Sequence, residues 1–143
     1  MAAQPKLFLE NSLILMREGM RDVPAMKGML DGVTDAEVIE LAKFYSALPL
    51  AKAPTDKQAD LFIKGQELAK GMRCGICHLP TYIGREQMPR LAGQREDYLT
   101  HSLLQFKNNQ AVGRDPNMAA AVYGVSDADL RALSYYLARL SID

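Results

Sequence analysis

The chain has 143 residues, enough for one ordinary domain or for two very small ones that share an interface. Hydrophobic residues make up 48% but aromatic ones only 7%, with no Trp, so the core is expected to be aliphatic and Met-rich unless a cofactor fills it. Lys plus Arg and Asp plus Glu both number 17, and this balance argues against a nucleic-acid-binding face. No apolar run approaches the about 18 residues needed to span a bilayer. The first residues also lack the charged-then-apolar layout of a secretory signal, so export would need a signal already removed or encoded upstream. The only two cysteines, Cys74 and Cys77, are two residues apart, which points to chemistry rather than to a disulfide framework.

In chain order, residues 1–50 repeat the end of the sequence. Phe8-Leu9-Glu10-Asn11-Ser12-Leu13 lines up with Tyr98-Leu99-Thr100-His101-Ser102-Leu103, with Gln4 opposite Gln94. Gly32-Val33-Thr34-Asp35-Ala36-Glu37 matches Gly124-Val125-Ser126-Asp127-Ala128-Asp129, which sets Met26 opposite Met118. Thr34 with Glu37 forms a capping-box pattern. This copy has nothing to match residues 58–90, and its start at Ala2-Ala3-Gln4, where the intact copy has Ala92-Gly93-Gln94, reads as a truncation. A Pro- and Ala-containing linker follows, centred on residues 51–57.

Gln58 to Gly71 places Leu61, Phe62, Gly65, Leu68 and Ala69 on one side and Asp60, Lys64, Glu67 and Lys70 on the other, an amphipathic helix. Residues 79–94 read as an irregular loop with two prolines and two glycines. Glu96 to Asn108 is a second helix, with Tyr98, Leu99, Ser102, Leu103 and Phe106 near one face. Gly113 to Gly124 reads as another loop. Ser126 caps a last helix, whose stripe is Leu130, Leu133, Tyr136, Leu137 and Leu140. Helices dominate, no strand is expected, and the chain divides into 1–50, a linker over 51–57, and 58–143.

The chemistry concentrates in Cys74-Gly75-Ile76-Cys77-His78. In a helical turn Cys74, Cys77 and His78 sit at i, i+3 and i+4, so all three address one flat ligand. Two thiolates can form thioethers to a haem while the imidazole reaches its iron. Zinc would need His101 as a fourth ligand and a poor geometry for adjacent Cys77 and His78. A redox dithiol would need a βαβ context, which this helical sequence does not supply. A second axial ligand comes from Met or His elsewhere, with Met72, Met88, Met118 and His101 as candidates. We choose Met118, in a loop after Pro116 and before three alanines that admit a close ring; the competing reading is an ordinary core Met.

These segments resemble class I c-type cytochromes and, among them, the two-domain dihaem subfamily called cytochrome c-four. The resemblance rests on Cys74 to His78, on Met88-Pro89-Arg90-Leu91-Ala92-Gly93-Gln94 before Tyr98-Leu99, on Met118, and on Val125 to Leu130 leading to Tyr135-Tyr136-Leu137. It implies an all-α class I cytochrome c fold around one covalently bound haem c, preceded by a two-helix remnant of a second such domain. It also implies that His78 and Met118 bind the iron and that the Pro89 carbonyl receives the other His78 N–H. Arg90 would meet a haem propionate, and Leu91, Tyr98, Leu103 and Phe106 would line the pocket. Family members usually carry Gly after the ligand His; here Leu79-Pro80 follows, which implies a different turn, with Ile83 at the haem edge. Met26, the remnant's counterpart of Met118, would have no iron.

The expected function is outer-sphere electron transfer rather than catalysis, between redox proteins such as a respiratory donor and a terminal oxidase or reductase. By family analogy the compartment is the bacterial periplasm, with membrane association only through a partner. Two other readings stand: a five-coordinate haem sensor, and a haem-carrying docking subunit of a larger oxidoreductase. In the second, the half with Met16, Met20, Met26 and Met29 covers a partner or another copy, so self-association through residues 1–50 is also expected.

Overall fold

The computed structural model describes residues 1–142; Asp143, the last residue of the expected C-terminal unit, lies outside them. Among the described residues seven α-helices follow one another: α1 (Lys6–Arg17), α2 (Asp35–Ala47), α3 (Ala59–Gly71), α4 (Gly75–His78), α5 (Glu96–Lys107), α6 (Pro116–Ala121) and α7 (Asp127–Ala138). A single 3-10 turn over Pro24–Met26 separates α1 from α2. Among the described residues the β structure is one isolated bridge, Arg85 with Met88. None of the described helices is long and apolar enough to cross a membrane.

The helix starts follow local chemistry. At α2, the Glu37 amide donates to Thr34 Oγ1 at 3.3 Å, and the Thr34 amide donates to the Glu37 carboxylate at 2.8 Å. That closes the capping box and satisfies two otherwise orphaned donors. At α7, Ser126 Oγ accepts from the Asp129 amide at 3.1 Å, with Asp127 and Asp129 at the positive helix end. The expected loop over 113–124 is only partly a loop. Asp115 accepts from the Asn117 amide at 2.9 Å and Pro116 takes the first helical position, so α6 forms and Met118 lies on a short helix.

The C-terminal core gathers Leu99, Leu103 and Phe106 of α5 against Leu130, Leu133, Tyr136 and Leu137 of α7 and Ala69 of α3. Helices α3 and α7 touch backbone to backbone at Gly65, where a Cβ would stand 2.2 Å from the Ala132 carbonyl oxygen and 2.5 Å from Tyr136 Cβ. Beside it Phe62 meets Tyr136 edge to face at 5.0 Å, and Lys64 pairs with Asp129 at 2.6 Å.

The N-terminal half has its own small core of Leu9, Leu13, Leu30, Val38 and Ala42, made by α1 on α2. In the repeat these helices match α5 and α7, and residues 1–50 hold no counterpart of α3. The effect shows at equivalent places after the two N-caps: Tyr136 is 6% exposed beneath α3, whereas Phe44 is 59% exposed. Of the five methionines here, Met16 and Met26 pack against this core, while Met1, Met20 and Met29 are exposed.

The halves are joined by polar contacts. The Gln4 side chain donates to the Arg90 carbonyl at 3.0 Å and accepts from the Arg90 amide at 2.8 Å. The Phe8 amide donates to the Glu86 carbonyl at 2.9 Å. Gly113, at φ 72°, lies so close to Met20 that a Cβ would be 2.1 Å from the Met20 carbonyl oxygen. The linker is held by Arg139, which stacks on Tyr135 and donates to the Asp56 carbonyl at 2.7 Å.

Candidate functional site

The cysteine segment coils as one helical turn. Cys74 is the N-cap of α4, the His78 amide donates to the Cys74 carbonyl at 3.0 Å, and His78 ends the helix. Cys74 is half-buried and Cys77 exposed, both as free thiols, and burial pushes the Cys74 thiol above its ordinary value. Leu79 then turns the chain with φ 67° and ψ 157°, a region that suits glycine and strains a side chain.

The following loop folds back on itself. The Gly84 amide donates to the His78 carbonyl at 3.1 Å, and Arg85 and Met88 exchange backbone hydrogen bonds of 2.9 and 2.7 Å. Gly84, at φ 73°, makes this possible, since a Cβ there would stand 2.4 Å from the Met88 carbonyl oxygen. The Tyr82 carbonyl accepts from the Leu91 and Ala92 amides. This clip brings the Pro89 carbonyl 2.8 Å from His78 Nδ1.

His78 is 4% exposed. Burial pushes its pKa below the ordinary histidine value, with the bond to Pro89 pulling the other way, which favours the neutral imidazole that can bind a metal. Its Nε2 is buried with no hydrogen-bond partner; among the described residues the only other such side-chain atom is Ser102 Oγ. Both residues line one cleft of about 1030 Å³, counted with its open mouth. Met88 and Met118 line it as well, with Leu91, Leu99, Leu103 and Phe106 as apolar wall. An orphaned imidazole nitrogen in a mostly apolar slot suits a flat iron-bearing macrocycle. Among the described residues no three of His, Cys, Asp and Glu gather as a metal-holding group, as a zinc site would require.

The structure brings together His78, Pro89, Leu91, Tyr98, Leu103, Phe106 and Met118 around this cleft. Arg90 also borders it, but its fork is not free. It donates to the carbonyls of Ala2 and Ala3, each at 3.1 Å, and to that of Ala92. Its guanidinium therefore fastens the chain's first residues. Ile83 is exposed and outside the cleft, because the Leu79 turn and the Arg85–Met88 clip point this stretch outward. Met72 packs on the C-terminal core. His101 and Met26 line a different cavity between the halves, with Phe8, Leu9, Leu13 and Met16.

Sequence reasoning missed what the N-terminal half gives to the cleft: Gln4, Phe8, Ser12 and Arg21 all line it, as does Arg114. A signal was present in the repeat, where Arg21-Asp22 and Arg114-Asp115 each precede a proline and then Met26 or Met118.

Residues 62–141 match the family model described as Cytochrome c. A relative named "Cytochrome c4" from Pseudomonas aeruginosa is 25% identical over 96% of this chain and 73% of its own length. One named "Thiosulfate dehydrogenase electron acceptor" from Thiomonas intermedia is 30% identical over 96% of this chain and 68% of its own length. The fold matches the crystal structure of reduced recombinant cytochrome c4 from Pseudomonas stutzeri with a TM-score of 0.87 at 25% identity, covering 98% of this chain and 83% of that one. Across the relatives named cytochrome c4, this chain spans 60% to 73% of their length.

Proposed function

This chain belongs to the cytochrome c family, and from that premise we propose that it carries electrons on one haem c held through Cys74 and Cys77, with His78 and Met118 as axial ligands. The observation that carries this reading is His78, whose Nδ1 is fixed on the Pro89 carbonyl while its buried Nε2 has no protein partner.

When bound, haem c supplies a one-electron iron couple, and His/Met ligation raises its potential. The remaining work falls to the chain. Pro89 holds the imidazole in one tautomer with Nε2 free and makes it a better donor. Met118 offers a soft thioether from a short helix set by Asp115 and Pro116. Leu91, Leu99, Leu103 and Phe106 keep water from the cleft. Were His78 and Met118 both to hold the iron, no position on it would be left for a substrate.

Redox proteins are the partners this chemistry serves, in the bacterial periplasm. The Thiomonas relative favours one specific setting, that of an electron acceptor for an oxidoreductase that works as a separate protein or subunit. Haem staining on a denaturing gel together with intact mass tests the central claim. The unaltered chain should stain and carry the added mass of one haem, while C74S/C77S should do neither; a bare chain mass from cells competent in haem attachment would overturn it.

A further inference from the structure

Resting on the haem reading above, we infer that Arg21 and Arg114, one from each half, form a carboxylate clamp in the wall of the cleft. Arg21 thereby acts as a positioning residue that adjusts the haem potential from the half that has no cysteines.

Both arginines line the cleft with His78. Arg21 is 9% exposed, yet its fork meets only neutral oxygens, Ser12 Oγ at 2.8 Å and Tyr98 Oη at 3.1 Å. Arg114 is half-buried over the Phe106 ring, 4.2 Å from its centroid, with one long bond of 3.4 Å to the Gln105 side chain. Among the described residues neither arginine belongs to an ion pair. The other two buried arginines differ: Arg90 is surrounded by carbonyls, and Arg139 is paired with Glu96 and Asp56.

Withdrawing a guanidinium from water without a counter-charge is costly, and two facing one space repel each other. Burial first, and then Arg21, push the Arg114 guanidinium down to about 10 against the pull of Tyr98. What satisfies the pair is an anion whose oxygens suit a planar fork, that is, a carboxylate. A second observation points the same way. Ser102 Oγ lines the cleft with no partner, whereas its counterpart in the repeat, Ser12, is the acceptor for Arg21. The cleft thus presents two cationic forks, the Tyr98 hydroxyl and one unused hydroxyl, while its one carboxylate, the exposed Asp115, accepts from the Asn117 amide and pairs with neither arginine. Haem carries two propionates, so the group that fits His78 also brings the missing charge.

The sign follows from electrostatics. Cations at the propionates offset negative charge near the iron and favour its less positive, ferrous form. Removing one lowers the potential. The test is a spectroelectrochemical titration of the haem-bearing full chain, comparing R21Q and R114Q with K43Q, an equal charge loss on the exposed surface of α2. R21Q and R114Q are each expected to cut the reduced-to-oxidised ratio at fixed ambient potential by up to about tenfold, about 59 mV for one electron. R21K, which keeps the charge, should restore most of it, as a purely structural role would not. If R21Q does not accumulate with haem, R114Q reads the same clamp. A parent chain that stains for haem while R21Q, or R114Q in its place, shifts no further than K43Q overturns the clamp alone. A parent that does not stain defeats the haem reading first.

Discussion

Gln4 and Arg90 exchange two hydrogen bonds across the interface, the Gln4 carboxamide acting on both the amide and the carbonyl of Arg90. The carboxamide thus imitates one rung of a β-ladder, and it does so one residue after the Pro89 carbonyl that orients His78. The grip of the N-terminal half and the orientation of the imidazole share one stretch of backbone.

Replacing Gln4 by Ala leaves a buried amide and carbonyl without partners, at about 1–3 kcal/mol for such groups. Q4A is expected to unfold at lower denaturant concentration by that amount. Limited proteolysis should then cut within residues 51–57 faster than in the parent, and equal stability and equal cutting would show that the pairing contributes nothing.

Met88 and Met118 border the same cleft, so substitution separates the ligand from the wall residue. M118A should lose the visible-spectrum signature of His/Met ligation and drop sharply in potential, since thioether ligation raises it. M88A should keep both. The reverse pattern would move the ligand to the loop at Met88.

Leu79 holds φ 67° and ψ 157°, where a side chain costs about 1–3 kcal/mol and glycine costs little. L79G gives up part of that gain because glycine makes the unfolded chain more disordered. The net expectation is a stabilisation of about 1 kcal/mol, read as a higher midpoint in thermal or denaturant unfolding. A lower midpoint would show that Leu79 packing outweighs the turn.

Much of this was legible from sequence because it is local. The capping of α2 and α7 rests on residues three apart, and the turn at Cys74 to His78 lies within five. The short helix α6 is hidden from periodicity because its six residues are too few for a hydrophobic period, although Asp115-Pro116 carries a start signal. The grip of Arg90 on the first residues is illegible for a different reason. Its partners at Ala2 and Ala3 lie at the other end of the numbering, and no period or spacing connects them. Arg21 reads as an ordinary surface charge until its half folds onto Tyr98.

The backbone contact of Gly65 with Ala132 closes a loop that contains Cys74, Cys77, His78 and Met118, although the cleft they serve is also walled by the N-terminal half. Such closure between distant segments is slow to form and is repaid only late in folding. A haem tied at Cys74 and Cys77 would stay with the open chain, but its coordination by both His78 and the distant Met118 would need the closed one and so would draw the folding equilibrium toward closure. Coordination by Met118 and chain closure would then be a single equilibrium, with helices α3 and α7 as its clasp.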